Sequence, residues 1–453
     1  MYRKNLLGKP NPKILEYTSS IEEDREIVDE VVESLIAHVK NLKDLKMIPC
    51  DKGDLILKEL KSLLENPDPL FSLEAEDVHE AIEIYLTGRI GEDEGYLALG
   101  KSRNDHVSSA LRLKTKKILI EQIKALMEFR QILLERAESN LTTIMPAFTH
   151  MQPAQPSTFA HYLCYIEETL AEYTKALLFF LKIVDKSPLG SGAVGSTSVP
   201  IDRKKLAKTL FSDIAINSIS ATSNRDFLSM VCSIDTGLSV FLSRIAGDVI
   251  AFTTPQFGYF ILPQEHLATS SMMPQKKNPV TMEIARAWSG EAIGHLTAIL
   301  TILKSVPTGY SLDLQSANKH AMAILKGTLE TINVFSDLFK KIEVNEDKMR
   351  KDAQIFPILA TDVAEKITMK TGMPYRKVYW EVAALIKEND FYAKIKEKYG
   401  IEITLDEGIK KRVIGSPDPE MVKQYIKIAG KSLKKDASDL EKKKKISMNE
   451  ALQ

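Results

Sequence analysis

Between residues 159 and 183 the apolar positions Phe159, Leu163, Ile166, Leu170, Tyr173, Leu177, Phe180 and Ile183 recur at steps of four and three almost without a break. Such steps hold side chains on one stripe of an α-helix, so the run reads as a long rod packed along one face. The same phase returns at Phe227, Val231, Ile234, Leu238, Phe241, Ile245 and Phe252, and further helical runs cover roughly residues 106 to 138, 280 to 306 and 320 to 341. At about 1.5 Å per residue, a run of about 28 residues makes a rod of about 40 Å, well beyond the usual helix. The spacing predicts an all-α protein with a central bundle of long helices over residues 113–355. Residues 1–112, punctuated by Pro67, Pro69, Gly88 and Gly91, read as an N-terminal helical domain, and residues 356–453 as a C-terminal helical domain. No apolar alternation is long enough to predict a substantial sheet.

Charge excludes some partners. Lys plus Arg (61) equals Asp plus Glu (61), so no global field draws the chain to nucleic acid or to an anionic membrane. The opening "MYRKNLLGKPNPK" has no apolar core of signal-peptide length, and no stretch of about 18 apolar residues occurs, which makes a cytoplasmic location the expectation. Cys50, Cys164 and Cys232 are odd in number and far apart, which fits reduced packing residues better than disulfides or a thiolate metal site. The lysine-rich end, "KSLKKDASDLEKKKKISMNEALQ", reads as a charged tail or exposed helix.

Several short motifs could carry chemistry, and each has a plainer reading. "LGSGAVGSTS" places Gly190, Gly192 and Gly195 as GxGxxG, but a heptad helix precedes it where a dinucleotide site needs a strand, so a tight turn is expected. In "GKSRNDHVSSALRL", Arg103 can grip a carboxylate and Asn104 offers an amide; alternatively Asn104 or Asp105 caps the next helix. "AFTHMQPAQPSTF" sets Thr149, His150 and Gln152 in a loop, where the histidine could carry a proton or serve structure. "PTGYSLDLQSANKH" presents Tyr310, Asp313, Gln315 and Lys319, either lining a polar pocket or linking two helices.

The stretch "HLATSSMMPQKKNP", residues 266–279, differs in kind. It has no helical or alternating period, yet it carries Ser270, Ser271, Lys277 and Asn278, with Pro279 suited to the start of the next helix. A serine held near an ammonium and backbone donors can bear negative charge, and the same donors can stabilise an enolate-like dianion. The methionines would let such a loop repack over a substrate.

"ATSSMMPQKKNP" resembles the GSSxMPxKxNP signature of the fumarase/aspartase superfamily, with Thr269 in place of the usual glycine. With "SRND", "THMQPAQP", "PLGSGA" and "ATSNRDF", the chain is most similar to the argininosuccinate lyases within it, over roughly two thirds of its length. The resemblance implies a three-domain fumarase/aspartase-like fold and cleavage of argininosuccinate into arginine and fumarate, without metal or organic cofactor. It implies Ser271 as general base, with Lys277 and Asn278 stabilising the aci-carboxylate, and His150 paired with Glu283 to aid proton delivery. It assigns Ser20, Arg103, Asn104 and Thr149 to the fumarate-forming part of the substrate, and His79, Tyr310 and Gln315 to the rest. It also implies a homotetramer with sites shared between subunits.

The sequence departs from that pattern at Lys101, where arginine is usual, at Ala98, where histidine is common, and at Asn318, where lysine is usual although Lys319 adjoins it. Two other readings compete. Adenylosuccinate lyase commonly has a loop histidine where this chain has Gln275 and Lys276, and a crystallin-like scaffold would dispense with the serine, histidine and lysine retained here.

Overall fold

The computed structural model describes residue 8, residues 11–388 and residues 390–445. After a short helix at Pro12–Thr18, three helices, α1 (Val28–Asp44), α2 (Cys50–Glu65) and α3 (Val78–Ile90), precede five long ones: α4 (Arg103–Glu138), α5 (Phe159–Val184), α6 (Asp226–Phe252), α7 (Val280–Leu303) and α8 (Asp313–Lys341). The expected runs are therefore present. The last begins at Asp313 rather than near 320, so Gln315 and Lys319 ride on the first turns of α8 instead of a connection. On the seam of α5, Phe159, Leu163, Ile166, Leu170 and Leu177 are buried, while Tyr173, Phe180 and Ile183 pack against the core from its edge.

Paired side chains fix the direction of each rod. Arg112 reaches the carbonyls of Ile183 and Val184 while Arg130 meets Glu167, so α4 and α5 are antiparallel. Tyr162 bonds Asp248 and Tyr173 stacks near Phe241, so α6 turns back again. His295 meets His320 and the Trp288 ring lies over Gly327, which makes α7 and α8 an antiparallel hairpin. Gln122 donates to the Leu325 carbonyl and Phe129 packs on Phe335 and Phe339, so α8 runs parallel to α4. The result is an up-down-up-down-up bundle. α6 is the one described helix long and apolar enough to cross a membrane, but 56% of that window is buried by its neighbours.

The core of α1–α3 is continuous with the bundle, and residue 112, the expected boundary, lies inside α4. After the bundle, α9 (Glu346–Ile355), α10 (Ala360–Thr371), α11 (Tyr375–Ile386) and α12 (Phe391–Tyr399) follow, and Val363, Ile367, Val378, Val382 and Ile395 form a separate small core. The lysine-rich end is α13 (Pro419–Lys445), whose Asp436 is buried against Arg130 and whose Leu440 joins the main core; residues 446–453 of that stretch lie outside the described residues.

No substantial sheet forms among the described residues, but the stretch read as a loop around Thr149, His150 and Gln152 is a two-stranded ribbon. Residues 144–158 form an antiparallel hairpin of β1 (Ile144–Thr149) and β2 (Gln152–Thr158). Its alternation is masked because Pro146 faces Pro156 and Pro153 faces Phe148 across the ladder, and proline is tolerated in such a two-stranded ribbon only because both strands are edges.

Candidate active site

At the end of the bundle where α4 and α8 begin, α3 and the chain around residue 20 close over a cleft of about 180 Å³. It is lined by Ser20, His79, Arg103, Asn104, Tyr310 and Gln315, together with Asp24, Asp77 and Asn318. Six of the expected substrate contacts, drawn from four separated stretches of sequence, thus meet in one place. The cap of α4 is Ser102, not Asn104 or Asp105: its hydroxyl accepts the Asn104 amide, and the Asp105 carboxylate accepts the Ser102 amide in return. That arrangement frees the Asn104 side chain, which donates to the Ala193 carbonyl at 3.4 Å. Arg103 is aimed by Asp77, Nη1 to Oδ2 2.8 Å, and the Ser20 hydroxyl donates to Asp24 at 3.0 Å.

His79 is buried, with hydrogen-bond partners among the described residues on neither ring nitrogen. Burial holds its imidazole down at about 4 despite the pull of Asp77, so at neutral pH it is a neutral donor and acceptor and not an acid. Burial raises the Tyr310 hydroxyl, with the Arg225 and Arg103 guanidinium groups opposing. A larger cleft of about 680 Å³ adjoins, sharing Ser20, Asp24, Gln315 and Asn318 with the first and adding Glu23, Glu26, Lys319 and Lys326.

The remaining expected residues gather at the opposite end. His150 and Met151 are the two-residue tip of the β1–β2 hairpin, both in the left-handed region, φ 52° and 60°. Such a turn favours Asn-Gly; a His-Met pair there costs about 1–2 kcal/mol per residue. Thr149 and His150 are exposed, and His150 has no hydrogen-bond partner among the described residues. The serine loop projects between two short paired strands, Ala268–Thr269 and Lys277–Asn278. Ser270 turns it by accepting the amides of Met272 and Met273, which leaves Ser271 exposed beside it. Lys277 is exposed, Asn278 half-buried, and Glu283 lies exposed in the first turn of α7.

Helix geometry sets the distance between the two groups. From Asn104 to Glu138, its last residue before the chain turns into the hairpin, α4 climbs about 50 Å at about 1.5 Å per residue. Glu283 and Gln315 lie near opposite ends of the α7–α8 hairpin, about 25 Å apart by the same measure. None of Thr149, His150, Ser271, Lys277, Asn278 and Glu283 lines either cleft. Within one chain the two groups of expected residues cannot touch.

Residues 7–294 match the protein family described as Lyase. An argininosuccinate lyase of Pyrococcus furiosus is 58% identical over 97% of each chain. The chain belongs to the argininosuccinate lyases. Among solved structures, an EDDS lyase variant with bound fumarate superposes with a TM-score of 0.83 at 24% identity, covering 93% of this chain and 89% of that one. A class II fumarase from Schistosoma mansoni gives 0.65 at 15% identity, over 83% and 91%. This member of the argininosuccinate lyases is therefore a carbon–nitrogen lyase with the fumarase/aspartase-like fold.

The structure of this argininosuccinate lyase family member also brings forward residues the motifs leave unmarked. Asp24 lines both clefts, its carboxyl pushed up to about 6 by burial while the Val78 amide pulls it back. His266, first residue of the serine-loop stretch, is buried and bonds Thr281 on α7 and Asp337 on α8, which anchors the loop base. Only its place at the head of that stretch hints at this role. Of the departures, Lys101 is buried against Glu83 at 3.3 Å, Ala98 ends a short 3₁₀ helix, and the buried Oδ1 of Asn318 has no hydrogen-bond partner among the described residues.

Proposed function

We propose that this chain cleaves argininosuccinate to arginine and fumarate in the cytoplasm, as a step of arginine biosynthesis, in a homotetramer whose sites are shared between subunits. The observation that carries the assembly is the separation of the two half-sites along α4. α7 supports it: of its 24 residues only Met282, Ala285, Ser289, Ala292 and Ile299 are buried, while Ile284, Ile293 and Leu300 are 64%, 49% and 50% exposed. So apolar a helix needs another surface to cover it, and copies packed antiparallel on it would bring one subunit's cleft to another's hairpin and loop.

In the joined site, Ser271 removes the proton from the carbon beside a succinyl carboxylate. Lys277, Asn278 and loop amides hold the charge that develops on that carboxylate, so their stabilisation is realised mainly in the transition state. His150, oriented by Glu283, delivers a proton toward the departing guanidine. Ser20, Arg103, Asn104 and Thr149 hold the dicarboxylate part; His79, Tyr310 and Gln315 hold the remainder, with Lys319 in the larger cleft supplying the cation that Asn318 lacks. The chemistry requires no cofactor or metal, so EDTA is expected to leave turnover unchanged.

The test is ultraviolet absorbance of fumarate on mixing purified protein with argininosuccinate, with adenylosuccinate in parallel. Fumarate from argininosuccinate alone is expected. Release only from adenylosuccinate would overturn the substrate assignment.

A further inference from the structure

The glycine motif at 190–195 is left without a role by the lyase reading, yet its base, Gly190 to Gly192, is buried against the first turn of α4, which lines the cleft. Gly190 and Gly192 adopt φ 79° and 58°, and a Cβ on Gly192 would stand 2.5 Å from the Ser196 carbonyl oxygen. Only glycine permits this turn. What the turn presents is the Gly192 amide, which donates to Asp105 Oδ2 at 3.0 Å, and the Ala193 carbonyl, which accepts from the Asn104 side chain at 3.4 Å. Consecutive residues of α4 are thus bonded to consecutive residues of the turn, closing a ring. The other oxygen of Asp105 completes the α4 cap on the Ser102 amide, and Asp105 is fully buried. Its carboxyl is pushed up to about 6 by burial and held down by the Ser102, Gly192 and Gly190 amides.

We infer that Asp105 is a positioning residue for the lyase reaction: through Gly192 and Ala193 it fixes the side chain of Asn104 at the substrate's dicarboxylate end. This rests on the reading of Asn104 as a substrate contact. Asp105 itself is buried beneath the turn and touches no substrate.

The test is a double-mutant cycle on KM for argininosuccinate, read by fumarate release. In Asp105→Asn the new amide N–H faces a backbone N–H donor, so one of the two bonds is lost; KM is expected to rise about tenfold with kcat changed less than about threefold. Gly192→Ala, which displaces the turn and keeps the carboxylate, should do the same. In an Asn104→Ala background both effects should shrink below about threefold, because coupled residues are non-additive. If Asn104→Ala raises KM and the other substitutions multiply it further by their full factor, Asp105 acts elsewhere and the inference fails. If Asn104→Ala leaves KM unchanged, the binding assignment fails instead. Should Asp105→Asn not fold, Gly192→Ala carries the test, and an unchanged KM in that variant overturns the inference.

Discussion

At the cleft end, Arg103, Asn104 and Ser20 are each hydrogen-bonded into place, by Asp77 at the head of α3, by the Ala193 carbonyl of the glycine turn and by Asp24. At the other end, Ser271, Lys277, Glu283 and His150 are exposed, and what holds them is a two-pair strand ladder, a buried His266 and a strained turn. Binding geometry is built in advance at the first end. The second is a projecting set of exposed groups, which in the assembly proposed above would take their order from a partner surface. The difference suits the proposed reaction: a dicarboxylate can be gripped by fixed donors, whereas the proposed base has to approach after the substrate is seated.

Substitutions at the exposed end should therefore affect chemistry and spare stability. Ser271→Ala or His150→Asn is expected to lower kcat by about 10²–10⁴, with the thermal midpoint of the assembled protein nearly unchanged by scanning calorimetry. Unfolding or dissociation of these variants would show that the end is structural. Arg103→Gln, at the pre-built end, should act on binding: loss of a charged bond worth about 1.5–3 kcal/mol raises KM by about 10- to 150-fold in steady-state assays. It should also lower the thermal midpoint, since Asp77, which keeps the Glu80 amide, loses its charged partner.

Between the ends, Asp235 of α6 is buried in the bundle, bonded at one oxygen by Gln122, and burial pushes its carboxyl up to about 8. A raised carboxyl favours the native state at low pH, and that contribution is lost as pH rises from about 4 to about 8. Asp235→Asn should accordingly flatten the decline in denaturation midpoint over that interval while leaving KM and kcat alone. A fall in activity would mean the spacer is coupled to the ends. The smallest effect expected is at the hairpin tip. Met151→Asn, better suited to the left-handed region, should stabilise by about 0.5–1 kcal/mol in denaturant titration.

The rods were legible in the sequence because a four-three stripe over more than twenty residues admits no other packing. Their first turns were less so: α8 begins at Asp313 and α4 is capped by Ser102, since a cap depends on which of several polar side chains the backbone admits. The hairpin was hidden by its prolines. Motif residues such as Ser271 and Arg103 could be named from their pattern, but Asp24 and His266 could not, and Asp105 was legible only as a helix cap and not as the partner of the glycine turn. Their roles come from burial between segments distant in sequence, and a carboxylate's surroundings are not written beside it.

The direct test of the account is a hybrid. Arg103→Ala, lacking the cleft's grip, and Ser271→Ala, lacking the base, are each assayed for fumarate release, then mixed, dissociated and reassociated. If a site joins one subunit's cleft to another's loop, random reassembly leaves about a quarter of the sites with both parts intact, and activity returns toward that fraction. If both residues serve the same site from one chain, every site in the hybrid lacks one of them, and the mixture stays as inactive as its parents.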